Sequence, residues 1–225
     1  MSALSSVIIN ASTKQTATVV WMHGLGDSGA GWSFLAEQLS GLFPYVKWIL
    51  PNAPSIPVTL NGGMSMPAWF DIKELGRKNA TSEDRDGMLQ SVTTINKILR
   101  DEVDKGIPAN RIVLGGFSQG SVMSLLAGLT SEYKLAAIIG CSGWLPMPDR
   151  IQNMASDANK KTPILMCHGD ADPVVNYTFG KESAERLQQL KYDVEFKTYH
   201  NLGHSAAPQE LLDISSFLKK NIPSV

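Results

Sequence analysis

The feature that most constrains the fold is an alternation along the chain. Apolar runs of about five residues are separated by longer segments in which apolar residues recur every three or four positions. A short run apolar on both faces reads as a strand buried in a parallel sheet, and a segment of helical period reads as the crossover that parallel strands require. Strands are expected at 18–22, 46–50, 112–115, 135–139, 163–167 and 194–199, with 7–9 as a short antiparallel edge. This order predicts an α/β fold with a mostly parallel central sheet and helices on both faces. A chain of 225 residues buries roughly 70 to 75% of its unfolded surface in one core of this kind, so a single domain over 1–225 is expected.

Two helices are legible in detail. Over 82–105, Met88, Val92, Ile95, Leu99 and Val103 make one apolar stripe, and Thr81 with Asp84 reads as a capping box. Over 208–220, Leu211, Leu212, Ser215 and Leu218 share one side, and Lys219 and Lys220 sit at the negative end of the helix dipole. The segment 51–78 breaks the pattern: it holds four prolines, the pair Gly62 and Gly63, and an apolar cluster over 64–72. It is too long for an ordinary loop and too apolar for disorder, so it is expected to cover something.

Composition excludes several classes. Twenty lysines and arginines stand against 21 acids, which leaves no basic excess to hold nucleic acid or an anionic bilayer by charge. Cys141 and Cys167 lie in apolar, strand-like runs, as buried reduced thiols do, and a cytoplasmic protein is expected. The first positive charge is Lys14 and no apolar run approaches a membrane span, so neither a leader nor an anchor is read.

The chemistry centres on Gly116 to Gly120, which fits G-x-S-x-G with Ser118 in the middle. A strand precedes it and a helix of small residues follows, the context of a nucleophile elbow, although a serine there could also serve as a helix cap. A serine hydroxyl needs a general base and a group to orient that base. In this type of fold the chain order is nucleophile, acid, base, which leaves His200 or His204; His204, in the loop before the last helix, is preferred. The loop after the strand at 163–167 offers Asp170 and Asp172. Spacing hardly separates them, and Asp172 is preferred because Pro173 restricts its backbone. The H-x-x-x-H spacing of His200 and His204 lacks the helix and glutamate of a zinc protease, so no metal is expected. Oxyanion donors are expected from the backbone N–H groups of Gln119 and Leu25, and the identity of the Gln119 side chain is expected to matter little. Gly24, Gly26 and Gly29 also spell a dinucleotide loop, but the next strand ends in Pro51 and Asn52 with no acid for a ribose, so no cofactor is expected.

With these pieces in place the chain resembles the acyl-protein thioesterases, a lysophospholipase and carboxylesterase-like family of α/β-hydrolases. The motifs HGLGD (23–27), PNAP (51–54), MPAWFDI (66–72), GGFSQGS (115–121), HGDADPVV (168–175) and GHS (203–205) carry the likeness over nearly the whole chain. The resemblance implies an α/β-hydrolase fold, a triad of Ser118, Asp172 and His204, and an oxyanion hole at Leu25 and Gln119. It also implies an acyl channel lined by Leu25, Met66, Ile72, Leu75, Trp144, Val174 and Phe179. Lys73 and Glu74 stand where apolar residues are commoner in the family, which implies a more polar rim. Implied substrates are S-acylated proteins or, alternatively, lysophospholipids and small esters, with transient contact at membrane surfaces. A non-catalytic lipid-binding module is the remaining alternative, and a monomer and a weak homodimer are both compatible with the sequence.

Overall fold

The computed structural model describes residues 4–74 and 83–225. Along the chain run β1 (Ser6–Ile9), β2 (Ala17–Met22), α1 (Ser33–Ser40), β3 (Val46–Pro51), β4 (Ser55–Val58), β5 (Met64–Pro67) and α2 (Arg85–Asp104). There follow β6 (Ile112–Phe117), α3 (Gln119–Thr130), β7 (Ala137–Cys141), α4 (Ile151–Met154), β8 (Ile164–Gly169), α5 (Tyr177–Gln189), β9 (Val194–Tyr199) and α6 (Pro208–Asn221). Each expected strand forms. The one expected at 135–139 begins two residues late, and the Leu135 N–H donates instead to the Asn159 side chain.

Seven strands make one sheet in the order β1-β3-β2-β6-β7-β8-β9. All its pairs are parallel except β1 with β3, where Ile9 faces Trp48 in antiparallel register. Apolar side chains fill both faces: α2 and α3 pack on one through Met88, Ile95, Leu99, Val122 and Leu126, and α1 and α6 on the other through Leu35, Leu39, Ile214, Phe217 and Leu218. Helix α3 is buried from Gln119 to Leu129, which explains its small residues: a Cβ on Gly128 would lie 2.5 Å from Ile138.

Helix α2 keeps its expected stripe, with Met88, Val92, Ile95 and Leu99 buried and Val103 packed against the core, whereas its cap and the buried face of α6 need correction. Helix α2 starts at Arg85 and is capped by Asp84, whose side chain accepts from Gly87 N–H at 3.1 Å. The expected Thr81 half of that capping box, and Ser82, lie outside the described residues. In α6 the buried stripe is Glu210, Ile214, Phe217 and Leu218, whereas Leu212 is 61% exposed. The helix is rotated so that its i, i+4, i+7, i+8 line meets the sheet, with Leu211 at the margin.

At the N-terminal edge of the sheet the buried Glu102 ties α2 to β2 and β3. It accepts from Lys47 Nζ (2.7 Å), Lys105 Nζ (3.0 Å), Gln15 Nε2 (3.0 Å) and Thr18 Oγ1 (2.9 Å). Burial alone would raise its pKa, but these donors bring it down to about 2. At the opposite edge, the chain leaves β2 for β3 on one side and later returns to β6 on the other. Ligands of open parallel sheets bind at such a reversal, beyond the carboxyl ends of the two strands. Ser118 follows β6 there, and the loop 23–27 follows β2.

Candidate active site

Ser118 occupies the turn between β6 and α3 at φ 56°, ψ −119°, a region that costs a non-glycine residue of the order of ~1–3 kcal/mol. Its N–H donates to Cys141 O at 2.9 Å and its carbonyl accepts from Val122 N at 3.1 Å, so the backbone is held on both sides. The side chain makes no capping hydrogen bond to α3, which removes the helix-cap alternative. Flanking glycines make the turn sterically feasible. A Cβ on Gly116 would lie 2.4 Å from the Gly120 backbone, and one on Gly120 would lie 2.0 Å from Met22 O.

The loops after β8 and β9 present two aspartate–histidine pairs. Asp172 is buried; Oδ1 accepts from Val174 N (2.8 Å) and Val175 N (2.9 Å), and Oδ2 lies 2.7 Å from His204 Nδ1. Two backbone donors thus aim this carboxylate, and its bond places the His204 proton on Nδ1, leaving Nε2 as a proton acceptor. Asp170 faces outward instead. It pairs with His200 Nδ1 at 2.7 Å and accepts from Asn201 N, and the His200 hydrogen bond lowers its pKa. The His200 side chain is 83% exposed, whereas His204 packs against the Phe117 ring at 4.7 Å between centroids. Geometry therefore separates Asp172 from Asp170, which spacing does not.

Under this loop sits His168, buried, with Nε2 2.9 Å from Val175 O and 3.6 Å from Asp172 Oδ2. Burial lowers its pKa, so it braces the Asp172 loop as a neutral ring. His23 is a second buried, neutral ring. Its Nδ1 lies 2.6 Å from Gly24 O and its Nε2 accepts from Ala53 N at 3.0 Å, with burial again lowering the pKa. The loop it holds lies against the serine, since a Cβ on Gly24 would be 3.3 Å from Ser118 Cβ. Gly29 serves close packing: a Cβ there would be 2.1 Å from Leu50 O, and its N–H donates to Asn52 Oδ1.

Ser118 and His204 open into a cavity of about 370 Å³. Of the expected channel residues, Leu25, Ile72, Trp144, Val174 and Phe179 line it. Leu75 lies outside the described residues. Met66 does not line the cavity: it stands on β5, and its sulfur is turned toward the Asn61 amide (3.2 Å) and Gly26. Further lining comes from Trp32, Leu60, Phe70, Met88, Phe117 and Val175, and Lys73 and Glu74 give the expected polar rim with Asp27, Asp71, Glu83 and Asp84. Segment 51–74 forms much of this wall. β4 and β5 make a hairpin that folds back on itself, with Thr59 held by the Asp71 carboxylate and Leu60 N–H by Ile72 O.

The Gln119 side chain departs most from expectation. It is fully buried; Oε1 accepts from Trp69 N at 3.0 Å and Nε2 donates to Phe70 O at 2.8 Å. Its identity matters, because no shorter or apolar side chain pairs both of those buried backbone groups.

An uncapped serine on a positive-φ turn at the reversal point of a parallel sheet, bordering the same cavity as a histidine from the last loop, is the construction of an α/β hydrolase. The relatives agree. A model of the phospholipase/carboxylesterase family matches residues 4–222, and the chain belongs to that family. It is 46% identical over 227 residues to acyl-protein thioesterase 1 of Gibberella zeae, covering 98% of this chain and 97% of the relative. Against the protein of the same name from Yarrowia lipolytica it is 45% identical, covering 96% and 97%. Among solved structures, Zea mays acyl-protein thioesterase 2 superposes with a TM-score of 0.85 at 34% identity, covering 97% of this chain and 99% of the other. Arabidopsis thaliana SOBER1 superposes at 0.84 and 33%, covering 92% and 99%.

Proposed function

We propose that this protein is a serine hydrolase that removes long fatty-acyl groups from cysteine thioesters on proteins, working through an acyl-enzyme on Ser118. The observation that carries the reading is the shared cavity. Ser118, on its strained turn, and His204, oriented by Asp172 at 2.7 Å, border one apolar space of about 370 Å³. Its near relatives named acyl-protein thioesterase 1 support the same substrate class.

In the first half-reaction His204 Nε2 takes the proton of Ser118 Oγ as the oxygen attacks the acyl carbonyl. The Asp172 carboxylate stabilises the imidazolium, and the backbone N–H groups of Leu25 and Gln119 receive the charge on the tetrahedral oxygen. Collapse expels the cysteine thiolate, which leaves with the histidine's proton. Water, deprotonated by the same histidine, then attacks the ester and releases the fatty acid. Burial of the chain contributes ~0.8 kcal/mol per methylene, which lets a nearly neutral protein draw an acyl group from a membrane surface. The two buried free thiols, Cys141 and Cys167, fit residence in a reducing cytoplasm.

A second reading, a lysophospholipase or carboxylesterase, is favoured by the polar rim at Asp71, Lys73 and Glu74, which suits a hydrated headgroup. The test compares kcat/KM for a palmitoylated peptide, a lysophospholipid and a short aryl ester. Highest efficiency on the peptide supports the thioesterase reading, and highest efficiency on the lysophospholipid overturns it in favour of the second.

A further inference from the structure

The mechanism above uses only the backbone N–H of Gln119, yet its side chain is among the most completely buried polar groups near the site. It holds the segment that walls the acyl cavity by both ends of its amide, at Trp69 N and Phe70 O. Trp69 in turn donates its indole Nε1–H to His23 O at 2.9 Å. Two residues earlier in the same segment, Pro67 O accepts from Gly26 N at 2.8 Å. Leu25, the expected oxyanion donor, is thus held from both sides: His23 before it is fixed by Trp69, and Gly26 after it by Pro67.

We propose that the Gln119 and Trp69 side chains are positioning residues for the oxyanion hole, locking the Leu25 loop to the elbow through the wall of the acyl cavity. The two donors of the hole then belong to one hydrogen-bonded unit. One is the backbone of Gln119, and the other is aimed by a chain of contacts that begins at the Gln119 amide. Phe70, held by that amide, lines the cavity and meets Trp144 edge-on at 6.2 Å. Displacement of the cavity wall is therefore transmitted to the charge-stabilising groups, and displacements near ~1 Å in such sites cost on the order of 10²-fold in rate.

The proposal rests on the serine-hydrolase reading, and its test separates the two. Three variants are compared on a short aryl ester, which leaves most of the cavity empty. Gln119→Ala removes the amide, Gln119→Met fills its volume without hydrogen bonds, and Trp69→Phe removes the indole N–H while keeping an aromatic ring. For each, kcat and KM are measured beside the affinity of a trifluoromethyl ketone, whose adduct carries the oxyanion. Circular dichroism establishes that a variant is folded, and Trp69→Phe, the mildest, carries the test if the Gln119 variants do not fold. The expected result is a kcat lower by about 10- to 100-fold with KM changed little, and ketone affinity falling in parallel. Gln119→Met should be as impaired as Gln119→Ala. Near-wild-type kcat in Gln119→Met or in Trp69→Phe would overturn the proposal, as would lost activity without lost ketone affinity. A wild-type protein that neither turns over the ester nor binds the ketone would instead refute the hydrolase reading.

Discussion

Lengthening the acyl chain of the substrate is a perturbation whose effect follows from the apolar lining of the cavity. Each methylene moved from water into apolar surroundings gains up to ~0.8 kcal/mol, a factor of about four. The lining is mostly aromatic and aliphatic, with Phe70, Ile72, Trp144, Val175 and Phe179 among its residues, so much of that gain should be realised. For a series of acyl thioesters below their micelle concentrations, kcat/KM should climb about two- to fourfold per carbon from acetyl upward. The climb should flatten where further methylenes reach the polar rim at Lys73 and Glu74. Stopped assays with a thiol reagent give kcat/KM directly. A flat response from acetyl to dodecanoyl would refute the assignment of this cavity to the acyl chain.

Three more outcomes follow from single residues. Asp172→Asn should lower kcat by roughly 10³- to 10⁴-fold, because an amide cannot hold the His204 proton on Nδ1 or stabilise the imidazolium; steady-state kinetics with a circular-dichroism check measures this. Gly120→Ala should destabilise the fold by more than ~3 kcal/mol in denaturant melts, since its Cβ would lie 2.0 Å from the Met22 carbonyl. Glu102 is held near pKa 2 in the folded state against an ordinary value of 4.5. Its carboxylate therefore contributes stability above about pH 4.5, of the order of ~3 kcal/mol, and that contribution is lost as pH falls toward 2. Glu102→Gln should lower stability at pH 7 and differ progressively less from the wild type in melts at pH 4 and 3.

What could be read from the sequence divides along a physical line. Strand identity, the elbow and the histidine loop depend on local signals: apolar runs, glycines at 116 and 120, and a short loop before a helix. The strands, the positive-φ turn at Ser118 and the contact of His204 with Asp172 all form. Helix rotation and strand facing depend on what an element packs against, which the segment alone does not carry. Leu212 lies outside the core, roughly 120° around α6 from the buried Leu218, and Met66 turns to Asn61 although it sits in the expected apolar cluster. Phe70 and Met88 read equally well as core, and only tertiary packing shows that they also border the cavity. Asp170 and Asp172 share a loop two residues apart, and only tertiary geometry shows which histidine each meets. The Gln119 side chain is the least legible part of the site. Its partners lie about 50 residues away on a segment with no regular structure, and no local pattern encodes that contact.

The central claim is that Ser118 becomes acylated during turnover, and intact-protein mass spectrometry of samples quenched within the first turnovers of a palmitoyl-thioester peptide tests it most directly. A transient gain of one palmitoyl mass is predicted, which maps to the peptide bearing Ser118, is absent from Ser118→Ala, and decays as the fatty acid is released. Release of fatty acid with no adduct on Ser118, or equal turnover by Ser118→Ala, would contradict it.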